Sequence, residues 1–339
     1  MEEIEIAFSV IMPTYNSEAT IEDALRSIRK QNFLQDKIEI LVIDGGSTDR
    51  TREIAMGYGA IILDNPDRFP EYAKKIGFIQ ARGQYIIMQD SDEELIDTEQ
   101  YRKRWEFLMS NPEVTCMLAD QLLPDKSCGV SCSYLNRFGD PLSYFVYRSC
   151  GSILDENRKH LYKTTQKGNI YQYSHGDVIP IGDGGTTTVN IVKAKELFGE
   201  DIVYNQVFAC EIFSRMVFAN GLVGCIKNDN ILHHSTATFV SFLKKLRYRA
   251  VVNLNHDESA GFASRERYSR ELSRRKYLFV AYSASIVLPI LDSVRLCIKY
   301  HDITYILHFV YIDYLIVIVL TELIKKMLGR TSKNIAYGK

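Results

Sequence analysis

An excess of charge of either sign is missing from this 339-residue chain. Lys and Arg number 41 against 42 Asp and Glu, a formal net charge of −1. Without a basic surplus it is not expected to hold nucleic acid by neutralising phosphates. Cysteine pairs with metal-ligand spacing are also missing. The seven cysteines, 116, 128, 132, 150, 210, 225 and 297, include no C-x-x-C, so neither a zinc site nor a small disulfide scaffold is expected. Cys128 and Cys132, four apart, read as ordinary thiols. There is no leader pattern: Met1-Glu-Glu-Ile-Glu-Ile6 is acidic and runs straight into a strand. The region that follows is therefore expected on the cytoplasmic side. Internal repeats and low-complexity tracts are absent too.

What is present is three apolar runs that each break into polar residues at the C-terminal end. They are Ser9-Val-Ile-Met-Pro-Thr-Tyr-Asn16, Leu41-Val-Ile-Asp-Gly-Gly-Ser-Thr-Asp49 and Tyr85-Ile-Ile-Met-Gln-Asp-Ser-Asp92. Parallel sheets bind ligands outside the carboxyl ends of their strands, which is where such polar edges belong. Strands are expected over Ala7–Met12, Ile38–Ile43, Ile61–Leu63 and Tyr85–Met88. Between them lie an amphipathic helix with Ile21, Ala24, Leu25 and Ile28 on one stripe and Thr20 with Asp23 at its start, a helix capped by Ser47 or Thr48, and a helix over Pro70–Ala81 stopped at Gly83. Alternation of this kind implies a parallel α/β sheet with right-handed crossovers. Residues 120–175, rich in Ser, Tyr and Gly, read as irregular structure of the kind that carries specificity. Val189–Phe198 and Ala209–Ala219 read as helices and Leu222–Ile226 as a closing strand.

The C-terminal third differs in character. Between Lys244 and Lys276 stand ten basic and four acidic residues. Tyr277–Ile298 and Ile303–Ile324 are then mostly apolar and each near the length of a bilayer span. Lys325, Lys326 and Arg330 follow, so a hairpin with both basic flanks cytoplasmic is expected. Interfacial helices are the alternative, because Asp292 and Asp313 are costly in hydrocarbon. The expected domains are 1–240 for catalysis, 241–276 as a basic interfacial segment against anionic lipid headgroups, and 277–339 as a hydrophobic hairpin with a short tail.

Asp90 and Asp92, at i and i+2 past the fourth strand, can share one Mg²⁺ or Mn²⁺ with a substrate diphosphate. Such an ion neutralises charge on a departing diphosphate. Asp44 ends the second strand beside Gly45 and Gly46, where a carboxylate can meet a base or ribose and the backbone can approach closely. Pro13, Thr14, Tyr15 and Asn16 form a turn that can flank a base.

These edges, in this order and spacing, closely resemble family 2 glycosyltransferases of the GT-A fold. Pro13-Thr-Tyr-Asn16 is similar to that family's first nucleotide-binding turn, Val42–Asp49 to its second, and Asp90-Ser-Asp92 to its metal-binding D-x-D. Lys74, in Ala73-Lys-Lys-Ile-Gly77, stands where the family has arginine, keeping the charge without the bidentate fork. The resemblance is strong over 8–95 and faint over 180–235. It implies that Asp44 holds the uracil or ribose side, Lys74 the diphosphate region, Asp90 the ribose and Asp92 the metal, with His233 or His234 as a further metal ligand.

In inverting members a carboxylate deprotonates the acceptor hydroxyl, within a pattern E-D-x-[DE]-[LF]-x-x-R. Here Glu211-Ile-Phe-Ser-Arg215 matches its second half, while the E-D pair falls on Phe208-Ala209. Glu211 then supplies the base, or Asp183 in Ile181-Gly-Asp-Gly-Gly185 does, or the chain is a silent, membrane-anchored nucleotide-binding protein. Glu211 also has a structural reading, an ion pair with Arg215 at i+4. The leading expectation is an inverting, metal-dependent transferase moving a sugar, most simply from a UDP-sugar, to a lipid-linked saccharide or surface polysaccharide. A sugar nucleotidyltransferase would need a Gly-rich basic loop after the first strand. A processive synthase would need Q-x-x-R-W downstream of the base, and Gln100-Tyr-Arg-Lys-Arg-Trp105 has neither that spacing nor that place.

Overall fold

A computed structural model describes residues 5–125, 127–147, 158–180, 185–205, 209–235, 238–255 and 274–329. The first four apolar runs form parallel strands: β1 (Phe8–Thr14), β2 (Ile38–Asp44), β3 (Ile61–Asp64) and β4 (Tyr85–Met88). β1 pairs with β2 from Phe8↔Ile38 to Thr14↔Asp44 and with β4 from Phe8↔Tyr85 to Ile11↔Met88. Residues of β2 and β4 are buried throughout, as expected of strands covered on both faces.

Helix α1 (Ile21–Arg29) buries Ile21, Ala24, Leu25 and Ile28 completely. Removing such side chains from water contributes about 1.5–3 kcal/mol for each large one. Thr20 occupies its N-cap position but makes no side-chain cap bond. Helix α2 (Thr51–Gly57) starts later than capping by Ser47 or Thr48 would place it. Its first amide donates instead to Asp49 Oδ1 at 3.0 Å. Helix α3 (Pro70–Gln80) opens on a proline and packs on β1 at a glycine. A Cβ on Gly77 would lie 2.5 Å from Ile11 Cγ2.

The sheet continues beyond the parallel half and turns mixed. With α4 (Gln100–Ser110), β6 (Cys116–Met117), β8 (Leu161–Thr164), β9 (Asn169–Gln172), β10 (Thr187–Asn190) and β11 (Leu222–Cys225), its nine strands run in the order β3-β2-β1-β4-β10-β6-β11-β9-β8. β10 is antiparallel to β4 and β6, while β11 is parallel to β6. Where the sequence suggests a helix over Val189–Phe198, the β-branched Thr187-Thr188-Val189 extends into β10. Helix α7 (Ile191–Phe198) begins only after Asn190, whose Oδ1 accepts from Lys193 N at 2.9 Å. A smaller sheet joins β5 (Glu93–Leu95), β12 (Ile231–His233) and β7 (Leu122–Pro124), with Glu93 opposite His233. Helices α8 (Ile202–Asn205) and α9 (Ala209–Asn220) complete this part.

The residues group into two compact units, Met1–Leu123 with Ser152–His234, and Pro124–Gly151 with Ser235–Lys339. This differs from a single domain over 1–240. The segment expected to be irregular contains α5 (Cys132–Phe138) and α6 (Pro141–Tyr147), which have too few turns to show a period. Their Tyr134, Phe138 and Tyr144 share a core with Phe242, Leu246, Leu296, Tyr305 and Tyr311 of the second unit. Cys128 and Cys132, expected as free thiols, are joined in a disulfide, because the turn entering α5 brings their Cα atoms to 5.9 Å.

The second unit also holds α10 (Phe239–Asn255), α11 (Phe279–Ala284), α12 (Val287–Tyr300) and α13 (His308–Met327). The run over Tyr277–Ile298, expected as one span, is bent by 100° between Ala284 and Val287. Ile286 there takes φ 54°, which a helix cannot continue through. Among the described residues one straight helix, Ile303–Met327 with mean hydropathy 2.1, is long and apolar enough to cross a membrane.

Candidate active site at the strand ends

The ends of β2, β1 and β4 are neighbours in the sheet, and hydrogen bonds lace their loops together. Gly45 N donates to Thr14 O at 2.8 Å. Asn16, at φ 50°, donates its amide to Ser47 Oγ at 2.8 Å and accepts from Thr48 N through Oδ1 at 2.9 Å. Ser17 N donates to Thr51 Oγ1 at 2.7 Å, and the Ser91 hydroxyl donates to Ser17 Oγ at 3.0 Å. The first turn, the second turn and the D-x-D loop are thus one connected rim.

Asp44 is 1% exposed, and its oxygens are occupied by that rim. Oδ2 accepts from Gly46 N (3.2 Å), Ser47 N (3.0 Å) and Arg52 Nη1 (3.0 Å); Oδ1 accepts from the Thr14 and Ser47 hydroxyls. Burial alone would raise its carboxyl, but the Ser47 hydrogen bonds and the Arg52 guanidinium outweigh that and hold it below the usual carboxylate range. Asp44 thus ties the end of β2 to the turn that follows it. The neighbouring cation is one that spacing does not reveal. Arg68, in the loop after β3, lies 5.7 Å over the ring of Tyr15. Its guanidinium also faces the Cα of Gly46, where a Cβ would sit 3.7 Å from Nη2. Tyr15 is 42% exposed and Lys74 only 6%, on the inward side of α3 with Ala73, Gly77 and Phe78.

The D-x-D loop is set by a buried carboxylate next to it. Glu93 accepts from Asp90 N at 3.0 Å and from Gly185 N at 2.8 Å. Burial, with Asp90 and Asp92 alongside, pushes its carboxyl well above the usual range. Pairing of β12 with β5 then carries His233 to this loop: His234 N donates to Asp92 O at 2.8 Å, and His233 Nε2 lies 3.2 Å from Asp92 Oδ2. His234 turns away and meets Glu94 Oε2 at 2.7 Å. Of the four expected metal ligands, Asp92 and His233 share one point, Asp90 stands two residues off, and His234 is engaged elsewhere. Among the described residues no three His, Cys, Asp or Glu side chains converge as a closed metal cage. An aspartate and an imidazole, both reaching solvent, nevertheless fit an ion that takes its other ligands from diphosphate and water.

Glu211 lies in the first turn of α9, 7% exposed, with Arg215 Nη2 at 3.2 Å from Oε1. That is the helix-face ion pair. Asp183 and Phe208 lie outside the described residues. A further pair escaped sequence reasoning. Arg104, with no exposed surface, donates Nε to Asp229 Oδ2 at 2.7 Å, Nη1 to Thr186 O at 2.6 Å and Nη2 to Thr186 Oγ1 at 2.6 Å. Gln100 Nε2 reaches the other Asp229 oxygen at 2.8 Å. The string that resembled a misplaced Q-x-x-R-W is therefore the clamp on Gly185-Thr186, the stretch that Glu93 also grips.

Residues 9–121 match the family model "Glycosyl transferase family 2". The chain carries a family 2 glycosyltransferase domain. Poly(ribitol-phosphate) beta-N-acetylglucosaminyltransferase TarS of Staphylococcus aureus is 36% identical to it over 92 residues, 25% of this chain and 16% of TarS. GalNAc(5)-diNAcBac-PP-undecaprenol beta-1,3-glucosyltransferase of Campylobacter jejuni is 32% identical over 95 residues, 26% of this chain and 30% of that protein. The matched stretch thus spans less than a third of either relative. The crystal structure of S. aureus TarS 1–349 in complex with UDP-GlcNAc aligns with a TM-score of 0.51 at 17% identity, covering 98% of this chain and 95% of that one. Mannosyltransferase PcManGT from Pyrobaculum calidifontis, solved with GDP-Man and Mn²⁺, gives 0.52 at 13%, covering 94% and 91%. At those identities the likeness is one of fold, and the fold of the glycosyltransferase domain is GT-A.

Proposed function

We propose that this protein transfers a sugar from a nucleotide-sugar donor, most simply a UDP-sugar, to a saccharide or polymer acceptor carried on a lipid or at the cell surface, with inversion at the anomeric carbon. The observation that carries the proposal is the laced rim, in which the turns after β1 and β2 and the D-x-D loop form one edge and β12 adds His233 to it. Names of relatives support the substrate class: TarS has been solved with UDP-GlcNAc, and the Campylobacter enzyme acts on a PP-undecaprenol-linked acceptor by its name.

Pro13 to Asn16 with Tyr15 and Arg68 would flank the base, and Asp90 the ribose. Lys74 stands in the half of α3 nearest the strand ends and would serve the diphosphate region. A Mg²⁺ or Mn²⁺ ion, when bound, would be held by Asp92 with His233 and would supply positive charge against the leaving diphosphate. The acceptor hydroxyl oxygen forms the new bond to the anomeric carbon as the bond to the diphosphate oxygen breaks, and a carboxylate takes the hydroxyl proton. Glu211 and Asp183 compete for that last role. A cleft of about 490 Å³, lined by Arg158, Lys227, Asn169 and Tyr171 among others, opens at the β6, β9 and β11 ends on the same edge of the sheet and would receive the acceptor.

The test is calorimetric titration of UDP with and without Mn²⁺ on the wild type and on Asp92→Ala. Metal-dependent binding lost in the variant supports the donor site. Failure of UDP, GDP and dTDP alike to bind would overturn it. Glu211→Gln and Asp183→Asn, assayed for turnover with UDP binding retained, then separate the two bases. A wild type that binds UDP but turns over no UDP-, GDP- or dTDP-sugar is a silent nucleotide-binding protein.

A further inference from the structure

Helices α12 and α13 leave apolar stripes uncovered. On α12, Leu288, Leu291, Val294 and Ile298 are 51%, 59%, 43% and 69% exposed, at the spacing of one helix face. On α13, Val317, Leu320, Ile324 and Met327 form a second stripe, 62%, 42%, 57% and 86% exposed, opposite the buried Tyr311, Ile312 and Leu315. A surface of this extent marks an interaction site.

The charges beside it are mostly basic. Residues 274–329 hold seven Lys and Arg against four acids. Three of the acids are engaged inside the unit: Asp292 accepts from Tyr282 OH at 2.9 Å, Asp302 caps Thr304, and Glu322 is buried against Lys325. The fourth, Asp313, stands one turn before Val317 on α13 and is the one acid on the stripe side. The cations fringe the stripes instead. Arg295, with its side chain 72% exposed, follows Val294 on α12, Lys299 follows Ile298, and Lys325 and Lys326 close α13. Long basic side chains in such places lay their stems on the apolar surface and hold their charge at the headgroup level.

The packing of α13 decides between lying on a membrane and crossing it. The ring of Tyr311 meets Phe242 at 4.8 Å and Phe239 at 6.0 Å, while Lys326 Nζ reaches Leu254 O at 3.5 Å. The helix α13 thus runs beside α10 from Phe239 to Leu254, and α10 carries Lys244, Lys245, Arg247 and Arg249 along that length. Crossing hydrocarbon would take these four cations with it, which is strongly unfavourable. The other arm is too short to cross: α12 has 14 residues, about 21 Å of helix.

We propose that the second unit docks flat on an anionic phospholipid surface through the exposed stripes of α12 and α13, without a transmembrane span. The proposal does not rest on the donor-site reading, since vesicle binding is measured without sugar nucleotide. The test is flotation of the full chain with phosphatidylcholine vesicles, with and without phosphatidylglycerol. Binding is expected to be about tenfold tighter or more with phosphatidylglycerol, to weaken in high salt, and to be released by alkaline carbonate. Leu291→Glu with Ile298→Glu changes exposed positions only, and should abolish flotation while the circular dichroism spectrum and UDP binding stay as in the wild type. Equal binding to both vesicles that resists salt and carbonate would overturn the proposal in favour of a span. A wild type that stays unbound, and elutes as a dimer which the double variant loses, would overturn it in favour of a second copy on this face.

Discussion

Replacing Arg104 by methionine removes the cation from a pair with no exposed surface on the arginine and 2% on the side chain of Asp229. The volume is roughly kept, so the loss is electrostatic. Asp229 keeps Gln100 but is left as a buried carboxylate without a counter-charge, and Thr186 loses both guanidinium donors, keeping the Thr188 hydroxyl at 3.3 Å. Removing one partner of such a pair costs about 3–5 kcal/mol, a large part of the ~5–15 kcal/mol that holds a domain folded. For a unit of this size that is a fall in Tm of roughly 6–20 °C, read by circular dichroism. Arg104→Met with Asp229→Leu removes the orphaned charge and should recover part of the loss, with a coupling of up to ~3 kcal/mol. Arg104→Lys keeps the charge but not the fork that grips Thr186. It should weaken Mn²⁺-dependent UDP binding by more than its smaller stability loss suggests, because Gly185 and Glu93 lie one step from Thr186. A single variant within about 1 kcal/mol of the wild type, or a double variant no better than Arg104→Met, refutes the clamp.

His233→Ala should raise the Mn²⁺ needed for half-maximal UDP binding by roughly 10–100-fold, while His234→Ala, whose partner is Glu94, leaves it nearly unchanged; the reverse order refutes the assignment. Gly77→Ala places a Cβ 2.5 Å from Ile11 Cγ2 and should cost about 1–3 kcal/mol by urea unfolding, with a neutral result showing that α3 sits further from β1. Asp44 titrates lower folded than unfolded, so its ionised form stabilises the protein above about pH 4. That contribution is lost as pH falls through the lowered folded value. Asp44→Asn should therefore flatten the acid limb of the stability curve, and an unchanged limb would show that its hydrogen bonds do not favour the ionised form.

The parts of this protein that can be read along the chain are those set by neighbours in sequence. β1, β2 and β4 follow from continuous apolar runs and α1 from a stripe at a period of 3.6, and the D-x-D follows from its place after a strand. Short elements escape: β10 is three β-branched residues and an asparagine, and α5 and α6 have two turns each, stabilised by aromatic rings that arrive from α10 and α13. The bend at Ile286 escapes because hydropathy counts apolar residues without registering one at positive φ. Asp44 shows the same dependence on the fold. A carboxylate after a strand gives no sign in the sequence that Ser47, Thr14 and Arg52 hold it. Arg104 shows the limit most sharply. Its partner Asp229 lies 125 residues away, and nothing near Arg104 in the chain distinguishes it from Arg102, an exposed residue two positions earlier on the same helix and paired with Glu99. Only the fold makes one of these arginines a clamp beside the D-x-D loop and the other a surface charge, and substituting each in turn measures that difference directly.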